Sequence, residues 1–268
     1  GHTVIKTGQV MGALPSYDVA GTGDFNGDGK SDILLRRIAD GQTYMWLMNG
    51  HTVIKTGQVM GALPSYDVAG TGDFNGDGKS DILLRRIADG QTYMWLMNGH
   101  TVIKTGQVMG ALPSYDVAGT GDFNGDGKSD ILLRRIADGQ TYMWLMNGHT
   151  VIKTGQVMGA LPSYDVAGTG DFNGDGKSDI LLRRIADGQT YMWLMNGHTV
   201  IKTGQVMGAL PSYDVAGTSD FNGDGKSDIL LRRIADGLTY MWLMNGHSIT
   251  KAGQVMGALP NYEVRLFP

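Results

Sequence analysis

The chain contains no cysteine. That excludes disulfide staples, thiolate metal centres and cysteine nucleophiles, and it leaves the redox compartment unreadable. Charged residues are sparse, at 18%, and 22 basic against 26 acidic side chains leave a formal charge of −4. Such a balance cannot supply the broad basic surface that nucleic acid requires. Long apolar runs are missing as well. The longest bulky apolar stretch of the repeating part, Tyr44–Met48, is far too short to cross a bilayer, so no membrane insertion is expected. No signal peptide is present and the first residue is glycine, so we read the chain as a processed fragment whose targeting information lies outside it. Proline is scarce, at 7 residues, whereas glycine is abundant, at 42 of 268 residues, roughly twice its usual share. With 41% hydrophobic residues available for a core, this much glycine marks tight turns and not disorder.

What is present is one unit copied in tandem. Residues Gly1–Asn49 recur from Gly50, Gly99 and Gly148 without change, and from Gly197 with two changes, Ser219 and Leu238. The period is 49 residues; full copies span 1–49, 50–98, 99–147, 148–196 and 197–245, and 246–268 is a diverged partial copy. Copies this similar imply recent amplification of one unit or deliberate design, since drift would have scattered changes through all of them.

Within a unit, Tyr17–Phe25 is rich in small residues and runs into an Asp- and Gly-rich loop. Asp32–Arg37 is a short apolar run closed by Asp40-Gly41, and Thr43–Met48 is aromatic and apolar, closed by Asn49-Gly50. His51–Met60 follows with Val53, Ile54 and Val59. Asp-Gly and Asn-Gly between such runs are hairpin signals, because both residues tolerate positive φ. No window carries a sustained 3.6-residue apolar stripe. The unit is therefore four antiparallel strands, A to D. Strand C is apolar on both faces, with Tyr44, Trp46 and Met48 on one and Met45 and Leu47 on the other, so both faces must be covered. Four-stranded sheets at this spacing, each sandwiched by its neighbours, are the blades of an all-β propeller. Small residues suit strand A to the crowded centre, and Lys55 and Thr56 suit strand D to the rim. A β-solenoid is the alternative architecture. Strand counting adds a D-type strand in Gly1–Leu14 and an A-type strand in Asn261–Phe267, giving 22 strands, two more than five blades need. We expect one domain over 1–268 with five blades and surplus terminal strands; a six-bladed or shared-blade assembly, with self-association through terminal edge strands, is the alternative.

The A–B loop carries the chemistry. Asp24, Asn26, Asp28 and Asp32 stand at positions 1, 3, 5 and 9, with Gly29 at position 6 and the Lys30 carbonyl at position 7. This is most of a calcium loop: Ca²⁺ takes about 6–8 hard oxygens, which alternating acidic residues on a tightly turned backbone can supply. Leu35 occupies position 12, where an EF-hand places a bidentate glutamate, and strands flank the loop instead of helices. Three carboxylates within nine residues also repel one another without a cation. The same positions recur as Asp73, Asn75, Asp77, Lys79 and Asp81; Asp122, Asn124, Asp126, Lys128 and Asp130; Asp171, Asn173, Asp175, Lys177 and Asp179; and Asp220, Asn222, Asp224, Lys226 and Asp228. One Ca²⁺ per full repeat is expected. Magnesium prefers a smaller octahedral shell, and zinc lacks its nitrogen and sulfur ligands here.

The run Val19-Ala20-Gly21-Thr22-Gly23-Asp24-Phe25-Asn26-Gly27-Asp28-Gly29-Lys30-Ser31-Asp32-Ile33 resembles the FG-GAP or VCBS repeat. The resemblance covers essentially the whole chain. It implies integrin-α-like propeller blades with calcium in the A–B loop, held by Asp24, Asn26, Asp28, the Lys30 carbonyl and Asp32 and by their copies. It also implies an extracellular protein of the adhesion or lectin kind, or a domain attached to a secreted enzyme.

Other residues are assigned bland roles. Trp46 packs between blades and does not stack on a sugar; Arg36 and Arg37 are solvated or pair with Asp18 or Asp40; His51 and its copies lie on the surface; Met45 and Met48 fill gaps. No histidine has a nucleophile partner within the unit, and near-identical blades would place one side chain five times where an enzyme needs a single asymmetric centre. The expected function is a non-enzymatic, calcium-stabilised binding module or scaffold for a protein or glycan ligand. A multivalent lectin and an accessory domain of a secreted enzyme are the alternatives.

Overall fold

A computed structural model describes residues 3–262, which contain twenty β-strands and no helix. Blade 1 comprises β1 (Tyr17–Gly23), β2 (Asp32–Arg37), β3 (Thr43–Asn49) and β4 (Thr52–Met60), paired antiparallel in that order. Blades 2 to 5 repeat this over 66–109, 115–158, 164–207 and 213–256, as β5–β8, β9–β12, β13–β16 and β17–β20. The five sheets stand in a ring with their first strands, β1, β5, β9, β13 and β17, innermost. The molecule is a five-bladed β-propeller, and the solenoid alternative falls.

Strand A is small because the centre leaves no room. A Cβ placed on Gly21 would lie 2.8 Å from Thr71 Cγ2 of the next blade, and Gly70 meets Thr120 in the same way. A register shift between Val19 and Gly21 bulges each inner strand at the equivalent alanine. Outward along the blade, apolar residues on both faces of strands B and C interleave with the neighbouring sheets. Between blades 1 and 2, Phe25, Leu34, Met45 and Leu47 pack against Ile82, Leu84, Trp95 and Met97. Equivalent clusters fill the junctions between blades 2 and 3, 3 and 4, and 4 and 5.

Polar ties repeat at those four junctions. Thr71 Oγ1 donates to Thr22 O at 2.7 Å, and Thr120, Thr169 and Thr218 continue the chain. Ser80 N donates to Asp24 O at 2.7 Å and Gly99 N to Phe25 O at 2.7 Å, and the A–B loops of blades 1 to 4 are all bonded in this way to the following blade. Among the described residues, the junction between blades 5 and 1 carries none of these ties. The side chains facing it are less covered: Ile33 and Phe221 are half-buried where Ile82 and Phe74 are fully buried.

Two expectations about the ends need correction. Residues 3–14 form no strand, although residues 2–11 repeat the sequence of 51–60 that contains β4, because β20 (Ser248–Met256) already completes blade 5. Asn261 and Tyr262 are not in a strand either, and the rest of the anticipated A-type strand lies outside the described residues. The described strands therefore number those of five whole blades, and the described part of the surplus forms no strand.

The seam explains one late substitution. A Cβ on Gly121 would sit 2.9 Å from Ser178 Cβ of the next blade, and Gly23, Gly72 and Gly170 face the equivalent Ser80, Ser129 and Ser227. Ser219 takes this position in blade 5 and is exposed beside the seam, free of such crowding. Gly121→Ser is expected to destabilise the protein by about 1–3 kcal/mol through overpacking, whereas Ser219→Gly should change stability by within about 0.5 kcal/mol. Urea unfolding of the two variants checks the difference.

Candidate metal centre

Each A–B loop is shaped by its own acidic side chains. Asp24 accepts from Gly27 N and Asp28 N at 2.7 and 3.1 Å through Oδ1, and from Gly29 N at 2.7 Å through Oδ2. Asn26 Oδ1 accepts from Asp28 N at 2.8 Å and Asp28 Oδ1 from Lys30 N at 3.0 Å. Gly27 and Gly29 complete the fold-back at φ of +77° and +79°, where a side chain would be strained. Asp73, Asp122 and Asp171 hold their loops in the same way, and Asp220 does so with one additional bond, from Asn222 N.

The ninth position behaves differently. Asp32 is fully buried, accepting from Phe25 N at 3.1 Å through Oδ2 and from Met48 N at 2.8 Å through Oδ1. It therefore bolts the end of the loop to strand C. Asp81, Asp130, Asp179 and Asp228 repeat both bonds. Burial pushes these carboxyls up, the two N–H bonds pull them partly back, and the loop's own aspartates push again. Asp81, Asp130 and Asp179 reach about 7. Asp32 and Asp228, on the blades beside the seam, are raised as well.

The structure thus places positions 1, 3 and 5 on an exposed rim and position 9 beneath them in the core. Among the described residues no group of three or more acidic or histidine side chains is drawn together around one point. Lys30 also contributes more than a carbonyl: its Nζ lies 3.4 Å from Asp28 Oδ2, and Lys79 Nζ lies 3.9 Å from Asp77 Oδ2. The donor set nevertheless suits a hard divalent cation. Every donor is oxygen, and a carboxylate making two or three hydrogen bonds keeps acceptor capacity in reserve. A cation beside Asp81 would also relieve the charge that burial disfavours.

The remaining side chains sort by contact. Trp95, Trp193 and Trp242 are buried between blades, as expected of packing residues, whereas Trp46 and Trp144 are half-buried. Arg37 pairs with Asp40, whose carboxyl is lowered to about 2 by that guanidinium and the Gln42 N–H. Arg36 reaches across the junction to Tyr66 O at 2.6 Å and to Asp67 at 3.3 Å, so the Asp18-type partner belongs to the next blade. Four of the histidines are half-buried and tied to a neighbouring blade, not free on the surface as expected. His100 Nε2 donates to Met45 O of the preceding blade at 3.1 Å, and His149, His198 and His247 repeat the bond. A carbonyl only accepts, so Nε2 carries the hydrogen; burial, chiefly, holds these imidazoles below the usual histidine pKa. Phe25, fully buried, is the loop's core anchor; a lone bulky apolar residue in a polar loop was the available signal. At the centre, Thr22, Thr71, Thr120, Thr218 and neighbouring serines line a hydroxyl-rich channel of about 450 Å³.

Known proteins share both the repeat and the ring. The model of the FG-GAP-like repeat matches residues 24–84, 73–133 and 122–182, together more than half of the chain. No match was found among curated proteins. Among solved structures, the chain is similar to part of the Photorhabdus luminescens Tc holotoxin pore (TM-score 0.55, 16% identity, covering 94% of this chain and 12% of that one). It is also similar to a chain of the mitotic checkpoint complex (TM-score 0.52, 11% identity, 94% and 86% covered) and to a Mycobacterium tuberculosis puromycin-hydrolyzing peptidase (TM-score 0.51, 10% identity, 85% and 35% covered). At such identities the likeness is one of fold. A toxin component and a peptidase share it, so the ring itself selects no activity.

Asp81, Asp130 and Asp179 bind protons more tightly when folded, at about 7, than at the ordinary 3.8. Between those values the native state holds more protons, so stability falls as pH rises from about 4 to about 7. The Asp40-type carboxyls act oppositely, their contribution being lost as pH falls below about 4 toward 2. The His100-type imidazoles, held below their usual value, oppose the aspartates by adding stability as pH rises toward 6.5. The aspartate contribution is isolated by comparison: in divalent-free buffer Asp130→Asn should reduce the fall in urea midpoint between pH 4 and 7 relative to the unaltered chain, and an unchanged pH dependence would contradict the buried-aspartate assignment.

Proposed function

Because the chain belongs to the FG-GAP-like repeat family, we propose that it is a non-enzymatic, divalent-cation-stabilised propeller acting outside the cell as a binding or scaffold module. The observation that carries this reading is the repeated pairing of an acidic rim with a fully buried carboxylate at the foot of each loop. Asp24, Asn26, Asp28, the Lys30 carbonyl and Asp32, with their copies, would hold Ca²⁺. The ion would supply positive charge to a loop whose aspartates otherwise oppose one another. Its effect would extend beyond the loop, since Asp24 O and Phe25 O accept bonds from the next blade. Extracellular modules bind calcium at about 10⁻⁴–10⁻³ M, and an ion that binds only the folded state stabilises it by mass action.

Glycan binding is a second reading. A shallow cleft recurs between blades, of about 270 Å³ beside Tyr66, Tyr93 and Trp95 and of about 190 Å³ beside Tyr213, Tyr240 and Trp242. Aromatic walls at an opening of this kind suit the apolar face of a sugar ring.

Calcium titration by calorimetry should give about one site per full repeat, and EDTA should lower the melting temperature by several degrees. Asp126→Ala should remove one site and leave the other four. A melting curve indifferent to EDTA and to millimolar calcium would refute the cation-stabilised reading. Binding to a glycan array, lost on Tyr93→Ala, would establish the second.

A further inference from the structure

Two segments of this chain are suited to the same place. Every described junction seats the glycine of a D strand against the histidine of the next blade: Gly57 against His100, Gly106 against His149, Gly155 against His198 and Gly204 against His247. At the seam the histidine is His51, and the glycine against it is Gly8, with Cγ of the ring 2.7 Å from where a Cβ would stand. Residues 3–10 thus lie against blade 1 where the outer strand of the preceding blade belongs, yet the outer strand of blade 5 is β20. A ring of five blades has one such position. A cavity of about 1020 Å³ lies at this place, lined by residues 4–10, His51, Met256 and Leu259. The Nε2 atom of His51 is buried there without a partner, whereas its four counterparts bond a methionine carbonyl across the junction.

Sequence gives both segments a claim. Residues 3–11 are identical to β4, while β20 carries Ser248, Ile249, Thr250 and Ala252 in place of the repeated residues. The Asn245-Gly246 turn favours β20 by proximity. Residues 3–11 offer the opposing advantage that they would join blade 5 to blade 1 and draw the ring shut.

We propose that residues 3–11 are a second outer strand for blade 5, exchanging with β20 along the edge of β19 (Thr239–Asn245). The register is that of blade 1, where Leu47 faces Lys55 and Met45 faces Gly57. Leu243 therefore faces Lys6 after exchange, where it now faces Lys251, and Gly8 comes beside Met241. In that arrangement the Met241 carbonyl lies where His51 Nε2 finds its acceptor. Tethering within one chain keeps the local concentration of the competing strand high, so the exchange occurs within a monomer.

The absence of cysteine makes the test clean. Two double variants of the full chain, L243C with K251C and L243C with K6C, are oxidised at low protein concentration and separated without reductant. Both are expected to yield an internal disulfide in the monomer. Failure of the Lys6 pair where the Lys251 pair succeeds, or formation of the Lys6 bridge only in dimers, overturns the proposal. Hydrogen exchange on the unaltered chain provides a readout independent of any variant. Segments 3–11 and 248–256 should both show partial protection, each losing amide protons several-fold faster than β16 (Thr199–Met207). Full protection of 248–256 beside unprotected 3–11 overturns it equally. Neither measurement depends on calcium, so the outcome is separate from that of the proposed function.

Discussion

The structure depends on one buried carboxylate per repeat. Asp32 and its copies sit in the core, each accepting one N–H from the loop phenylalanine and one from strand C. An ionisable group in such a place is costly unless its oxygens are satisfied, and both are. The bonds hold the A–B loop down on its own sheet. Phe25, pinned through its N–H, drops its ring into the junction, and the carbonyls of Asp24 and Phe25 then point at the next blade and accept Ser80 N and Gly99 N. A local turn is thereby converted into a blade-to-blade connection, with the acidic rim above it.

Nearly identical blades impose nearly identical junctions, and the ring departs from that rule at one place. Four junctions share the threonine chain, the histidine–carbonyl bond and the arginine bridge. At the seam between blades 5 and 1 the described residues lack the threonine and histidine bonds, and Arg232 reaches Tyr262 O of the C-terminal segment instead of blade 1; it is beside blade 5 and its outer strand that the repeats diverge. Ser219 is admitted where a serine elsewhere would strike its neighbour. Leu238 replaces the glutamine that accepts the Tyr44-type hydroxyl, so blade 5 loses that bond without loss to any other blade. Relaxed packing at the seam is the physical reason that Ser219 is tolerated there.

Much of this was legible in the residues. The period, the turn dipeptides and the two-faced apolar strand C specify four-stranded sheets covered on both sides, and the strand limits agree to within a residue or two. The composition of the loop marks it as acidic and tightly turned. The roles of single side chains were less legible where the partner lies one repeat away. Arg36 pairs with an aspartate of the next blade, and His100 serves a carbonyl 55 residues earlier. Within one unit these side chains look solvated, because nothing near them in sequence needs them.

The sequence by itself determined the unit: its strands, its hairpins, its crowded inner edge and the acidic loop, all consequences of alternation, turn chemistry and residue size acting over short distances. The tertiary structure alone decided which face of each blade meets the next, that the ninth-position aspartate is buried at the foot of the loop, and that residues 3–14 form no strand. Those outcomes depend on how identical sheets close around an axis. Identical copies carry no information about which of them will stand at the opening.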